Sequence, residues 1–161
     1  SVSELMQIKG IGKAKAVQIC CILELSRRIA KQKARERLDF SNAETIAEYY
    51  MEDMRHLSVE KVMLLLLDGR HRLMKEILLS KGTANSSWVP VRNIFVEALR
   101  CEAVYMILIH NHPSGYPEPS REDLIITRQI KEAGELLGIP LSDHIIIGDK
   151  CYTSLREQNM M

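Results

Sequence analysis

The residues with the clearest chemistry form one short string, Ile109-His110-Asn111-His112-Pro113, followed after a loop by Ser120-Arg121-Glu122-Asp123. Two histidines one residue apart at the end of a strand turn to the same side. His110 and His112 can therefore offer two imidazole nitrogens to one cation. Asp123 opens the next helix, where the returning chain can bring a carboxylate into the same place. Two nitrogens and one carboxylate leave one tetrahedral position free for water, the layout of a catalytic zinc and not of a structural one. Zinc in such a place lowers the pKa of its water towards ~7 and polarises a substrate carbonyl. The general base is missing from this loop and has to come from elsewhere in the chain. The plainer readings are a chance His-x-His and a capping box in which Asp123 ties back the helix start. The ordered co-occurrence of all these features after a buried strand favours the metal.

Such a site needs a strand that ends, and a helix that begins, at the same edge of a sheet. Ala103–Ile109 is apolar on both faces and reads as a central strand, followed by the loop His110–Pro119 with its three prolines and one glycine. Ser120 then caps a helix ending near Gly138. Ahead of these, Ser41-Asn42-Ala43-Glu44 has capping-box spacing and predicts a helix to about Arg55. Val62–Leu67, the turn Asp68-Gly69 and Arg72–Ser80 make residues 61–80 a hairpin. Pro90 starts a helix to Cys101 with Phe95, Ala98 and Leu99 facing inward. His144–Ile147 is a last strand, closed by Gly148-Asp149-Lys150, and His144 is expected to orient a neighbour or to pack near the site. The order predicts an α/β (α+β) domain over 39–161, a mixed sheet flanked by helices, with the polar loop at the carboxyl end of a buried strand.

Residues 1–38 differ in kind. The whole chain of 161 residues carries 22 basic and 21 acidic side chains, a formal charge of +1. Nine basic against three acidic side chains give residues 1–38 a net +6, which leaves −5 for residues 39–161. Gly10-Ile11-Gly12 is a tight turn, and Lys13 opens an amphipathic helix with Ala16, Ile19, Cys20, Leu23 and Ile29 on its apolar stripe. Near-zero net charge thus excludes no nucleic-acid partner. With 46% apolar and 27% charged residues the chain is globular and not disordered. Its longest apolar run, Ala103–Ile109, is far short of the ~20 residues of a membrane span. No secretory signal opens it, and Cys20, Cys21, Cys101 and Cys151 form no CxxC, so a reducing cytoplasm is expected, without disulfides or a thiolate zinc site.

The ordered string H-x-H-P, a short spacer and S-x-x-D resembles the signature of the JAMM (MPN-domain) zinc metalloproteases. The fuller form, HNHPSG followed by PEPSRED, is similar to the bacterial RadC-like family, whose members carry the label DNA repair protein. GIGKAKAVQI and LELSRR resemble that family's helix-hairpin-helix segment, LLLLDGRHRLMKEILLSKGTANSS its first hairpin and loop, and DHIIIGD its last strand. The resemblance implies an MPN/JAB-like (cytidine deaminase-like) domain after a partial helix-hairpin-helix segment. It implies His110, His112 and Asp123 as zinc ligands and Ser120 as the serine that steadies an oxyanion or water. Glu60 stands where that superfamily has its general base, just before the first core strand, although Glu52 and Glu76 remain alternatives. Asn111 replaces the serine or threonine of the proteases, and Val89-Pro90-Val91-Arg92-Asn93 departs from the family's VHPRE, so Arg92 receives no role. The implied activity is hydrolysis of a peptide or isopeptide bond in an unknown protein or peptide. The alternative is a non-catalytic DNA-associated module whose MPN domain is a scaffold or metal binder. In a helix-hairpin-helix, amides at the helix start hold a DNA phosphate, which points to Gly10, Gly12 and Lys13 within residues 8–15. With only Ser1–Gln7 ahead of the turn, such contact is expected to be weak, sequence-independent and salt-sensitive. The letters HNH do not make an HNH nuclease, whose three residues are spread across a ββα unit. His56 and His71 read as surface or turn residues, and Trp88 as a lone loop aromatic.

Overall fold

The computed structural model describes residues 1–35, 38–82 and 90–161. Trp88 and Val89 lie outside the described residues, as do residues 83–87 and Glu36 and Arg37. The chain divides into two compact units, Ser1–Leu38 and Asp39–Met161.

In the first unit, α1 (Val2–Leu5) leads through a turn into α2 (Lys13–Arg35). Gly10 takes φ +92 in that turn, a conformation open to glycine and strained for other residues. Along the apolar stripe of α2, Ala16 is buried while Leu23 is 64% and Ile29 47% exposed. A four-residue α1 cannot span a 23-residue helix.

The second unit runs α3 (Ala43–Met54), β1 (Lys61–Leu67), β2 (Leu73–Lys81), α4 (Val91–Arg100), β3 (Tyr105–Asn111), α5 (Arg121–Leu137), β4 (Leu141–Ile147) and β5 (Tyr152–Ser154). The strands form one mixed sheet in the order β2-β1-β3-β4-β5, antiparallel except for the parallel pair β3–β4 that α5 connects. Both faces of β1 and β3 are buried, as continuous apolar runs require. On one face Val62, Leu64, Leu66, Met106 and Leu108 pack with Ile94, Phe95 and Ala98 of α4 and with Ile126 and Ile130 of α5. Each such side chain contributes about 1.5–3 kcal/mol on full burial. The opposite face is covered from α3, where Ile46, Ala47, Tyr50 and Met54 are buried and the Tyr50 hydroxyl donates to Glu76 of β2.

Local details differ from the sequence-based expectations. Asn42, not Ser41, caps α3, its Oδ1 accepting from Thr45 N, while the Ser41 hydroxyl turns back to Asp39. Leu99 is 56% exposed, and the inward positions of α4 are Ile94, Phe95 and Ala98. β3 continues through Asn111, so His110 belongs to the strand and not to the loop. β4 begins at Leu141, three residues earlier than expected, and β5 forms a fifth strand on Ile145–Ile147.

Candidate metal centre

The site stands where β3 ends and α5 begins. Alternation along β3 sends Met106, Leu108 and His110 to the face that α5 covers. His144 reaches the same face because the parallel β3–β4 register shifts by one between Met106↔Leu141 and Ile107↔Asp143. Without that shift, the residues in line with Leu141 would be Asp143 and Ile145. After the shift they are His144, paired with Leu108, and Ile146, paired with His110.

Asp123 is brought in by its own helix start. Ser120 caps α5, accepting from Asp123 N at 3.1 Å, while its backbone N and hydroxyl both donate to Asp123 Oδ2 at 2.7 and 2.6 Å. The capping box is real, and it leaves Oδ1 facing His110 while Oδ2, which it holds, faces His112. His110 Nε2 lies 3.4 Å from Asp123 Oδ1, His112 Nε2 lies 3.4 Å from Oδ2, and the two Nε2 atoms are 3.0 Å apart. Ligands joined to one ion by bonds of ~2.0–2.1 Å in a tetrahedron sit roughly 3.3–3.4 Å from one another. The nearest donor pairs are close to that spacing, and one ligand atom from each of the three residues lies within 4.8 Å of the others, a spread that one ion can gather.

Hydrogen bonds on the far side of each ring assign the tautomers. His112 Nδ1 lies 2.9 Å from the Tyr116 carbonyl, which can only accept, so Nδ1 carries the proton. Thr127 gives its hydroxyl proton to the Asp123 carbonyl at 2.6 Å, so its oxygen accepts from His144 Nδ1, also at 2.6 Å. His144 Nε2 is then an acceptor, and His110 Nδ1, 2.8 Å away, donates to it. Burial holds His110 down to about 4 and His144 well below its ordinary value, so both are neutral at pH 7. The chain Thr127–His144–His110 thus turns the His110 Nε2 lone pair to the same place as that of His112. Two lone pairs and a carboxylate converging there form an arrangement that suits a cation.

Hydrogen bonding with Asp123 raises His112, against the opposing effect of burial. At Asp123 burial works upward, but His112, the charge of His110 and the Ser120 bonds together hold the carboxyl well below the usual range. Glu60 is half-buried, immediately ahead of β1. Burial first, and then the like charge of Asp123, push it up. The structure brings His110, His112, Asp123 and Ser120 together and sets Glu60 within electrostatic reach of Asp123 and His112. Of the alternative bases, Glu52 is bound to Arg55 and Glu76 to Tyr50. Sequence reasoning passed over Thr127, for which a buried hydroxyl one turn after Asp123 was the available signal.

The RadC-like JAB domain family matches residues 40–160 of this chain. The chain belongs to that family. A UPF0758 protein of Desulforamulus reducens is 45% identical over 161 residues, covering 100% of this chain and 71% of its own length. One from Geobacter sulfurreducens is 46% identical over 157 residues, covering 96% of this chain and 68% of its own, and one from Halalkalibacterium halodurans is 42% identical over 158 residues. The sheet, the strand end and the helix start described above are accordingly those of a RadC-like JAB domain.

The other predicted residues lie in the first unit. A Cβ added at Gly10 or Gly12 would meet nothing within 4 Å, so both backbones are open, and α2 starts at Lys13. Lys15 Nζ donates to the Gly10 carbonyl at 3.3 Å. Among the described residues no helix is long and apolar enough to cross a membrane.

Proposed function

We propose that this RadC-like JAB domain is a zinc-dependent hydrolase of the JAMM type, cleaving a peptide or isopeptide bond in a protein or peptide substrate. The observation that supports it is the buried cluster in which His110 Nε2, His112 Nε2 and Asp123 converge, with both imidazoles held in the metal-binding tautomer. Nitrogen and carboxylate donors in a set of this size suit zinc. Held by these three residues, zinc would polarise a substrate carbonyl and make water a better nucleophile at neutral pH. Glu60 takes the proton of the attacking water and returns it to the departing amine, a task for which a carboxylate pushed towards neutrality is suited. Ser120 holds Asp123 through its hydroxyl and its backbone N–H; supporting a developing oxyanion would require the hydroxyl to turn its one proton away from Oδ2, which the backbone N–H goes on holding.

The test is metal analysis with a peptide and isopeptide screen. Wild-type protein should hold one zinc and cleave, H110A and D123A should lose the metal, and E60Q should keep it while losing about 10²–10⁴-fold in rate. Zinc content unchanged in H110A and D123A rejects the metal reading. A rate unchanged in E60Q rejects Glu60 as the base.

A second reading rests on the +6 charge of residues 1–38 and the open turn at Gly10 and Gly12 ahead of Lys13. In it residues 8–15 make a sequence-independent contact to DNA phosphate. Binding to a random duplex that weakens steeply with salt and is reduced in K13E supports this reading; salt-independent binding, or none, removes it.

A further inference from the structure

Asn111 sits between the two metal-site histidines, yet alternation turns its side chain to the opposite face of β3. It is fully buried, and both ends of its carboxamide are engaged with the segment that carries Glu60. Oδ1 accepts from the Lys61 backbone N–H at 2.9 Å, and Nδ2 donates to the Val59 carbonyl at 3.2 Å. The backbone register of β1 with β3 runs from Leu67↔Tyr105 to Val62↔His110. One residue further on, the side-chain amide stands in for a peptide group, because it too offers one donor and one acceptor. From the other side, Gly82 N donates to the Glu60 carbonyl at 2.9 Å. Gly82 has φ +65, and a Cβ there would press on Val59 Cβ at 3.2 Å. Three consecutive residues, Val59, Glu60 and Lys61, are thus pinned through their backbones.

We infer that Asn111 is a positioning residue for Glu60. Its carboxamide adds one rung to the β1–β3 ladder and sets the backbone from which the Glu60 carboxylate faces the metal cluster. This inference rests on the reading of Glu60 as the base. A hydroxyl at position 111 can also donate once and accept once, but it does both from a single atom held closer to the backbone, so it cannot span the Val59 carbonyl and the Lys61 N–H as the two-atom carboxamide does. The asparagine that departs from the protease motif therefore has a local reason in this chain. A motif serine would leave either the Lys61 N–H or the Val59 carbonyl without its partner.

The experiment compares full-length wild-type protein with N111S and N111T, the latter keeping a β-branched residue in the strand. Zinc affinity should stay within about threefold, because His110, His112 and Asp123 are untouched. Amide hydrogen exchange at Lys61 should accelerate by at least about tenfold, while Leu64 to Leu66 keep their protection. The Glu60 side-chain carboxyl resonance, assigned by its loss in E60Q, should move on zinc addition in wild type and by less than half as much in N111S. With a substrate from the screen, kcat should fall about 10–100-fold with KM unchanged. Unchanged exchange at Lys61 overturns the inference. So does acceleration that spreads equally over Leu64 to Leu66, which marks general loosening, or a Glu60 resonance that responds to zinc as in wild type. Exchange and the carboxyl resonance need no turnover. A wild-type protein that cleaves nothing therefore defeats the hydrolase reading and still leaves Asn111 to be judged.

Discussion

Thr127→Val removes one hydroxyl from a residue that does not belong to the donor set, and it should weaken zinc binding by about one to two orders of magnitude. The side chain is fully buried and valine nearly matches its shape, so the perturbation is chemical more than steric. In wild type the Thr127 oxygen accepts from His144 Nδ1, which leaves His144 Nε2 to accept from His110 Nδ1 and turns His110 Nε2 to the cluster. In the variant, His144 Nδ1–H loses the Thr127 oxygen, and a buried hydrogen bond lost in this way costs about 1–3 kcal/mol. The metal-free protein can escape by moving the proton to His144 Nε2. His110 then accepts at Nδ1 and carries its own proton on Nε2, pointing into the site. Zinc has to reverse that change and strand the His144 proton again, so the same 1–3 kcal/mol is lost from binding, roughly 5- to 150-fold in Kd. Competition against a chromophoric chelator gives Kd. Imidazole ¹⁵N spectra of metal-free protein should show His110 passing from the Nδ1–H to the Nε2–H form. A folded T127V protein with wild-type zinc affinity and an unchanged His110 tautomer would refute the relay.

Zinc affinity should rise with pH by about tenfold per unit until His112 has lost its proton, at a value raised above the ordinary 6.5 by Asp123. Metal-free stability should run the opposite way. Protonated His112 paired with Asp123 stabilises the fold below pH 6.5, and that contribution disappears as pH climbs through the raised value, which melting curves across pH 5–9 with and without chelator will show. Ser120→Ala should cost about 0.5–2 kcal/mol through the lost cap of α5, read as a lower Tm, and should weaken zinc binding because Asp123 Oδ2 keeps only the backbone donor. Asp68→Asn should destabilise the β1–β2 hairpin at neutral pH. Bonds from the Arg72 backbone and side chain hold Asp68 near about 2, so its contribution is present above its ordinary 3.8 and lost as pH falls through 2. The melting temperatures of D68N and wild type should then converge in acid, and a difference that persists below pH 2 rejects this role.

Much of the domain was legible because its signals are local. The apolar runs of β1 and β3, the Asp68-Gly69 turn and the Ser120 cap each act over a few residues, and the family match extends over residues 40–160. The clustering of His110, His112 and Asp123 was readable for the same reason, since one strand end and one helix start supply all three. What escaped depends on pairing between distant segments. Nothing around Leu141 in the sequence reveals a shift of register against Met106, yet that shift decides whether Asp143 or His144 joins the α5 face. Thr127 and Asn111 look like ordinary polar residues until the partners 17 and 50 positions away are known. β5 is three residues long, too short to carry a period of its own. Leu99 was misread because α4 turns Ile94, Phe95 and Ala98 inward, an arc that excludes position 99.

Asp123 serves two masters with one carboxylate: Oδ2 closes the first turn of α5, and the two oxygens face the histidines, Oδ1 towards His110 and Oδ2 towards His112. The first task belongs to folding, because the bonds that hold Oδ2 there come from Ser120 of the same helix start. Arrival of the metal then finds its third donor already in place and has little backbone to order. Metal and fold should for that reason be separable here, unlike zinc fingers, which exist as folded domains only when loaded. A chelator should yield an empty but native domain, one able to take up, lose and exchange its ion at the pace of ligand substitution and not at the pace of refolding.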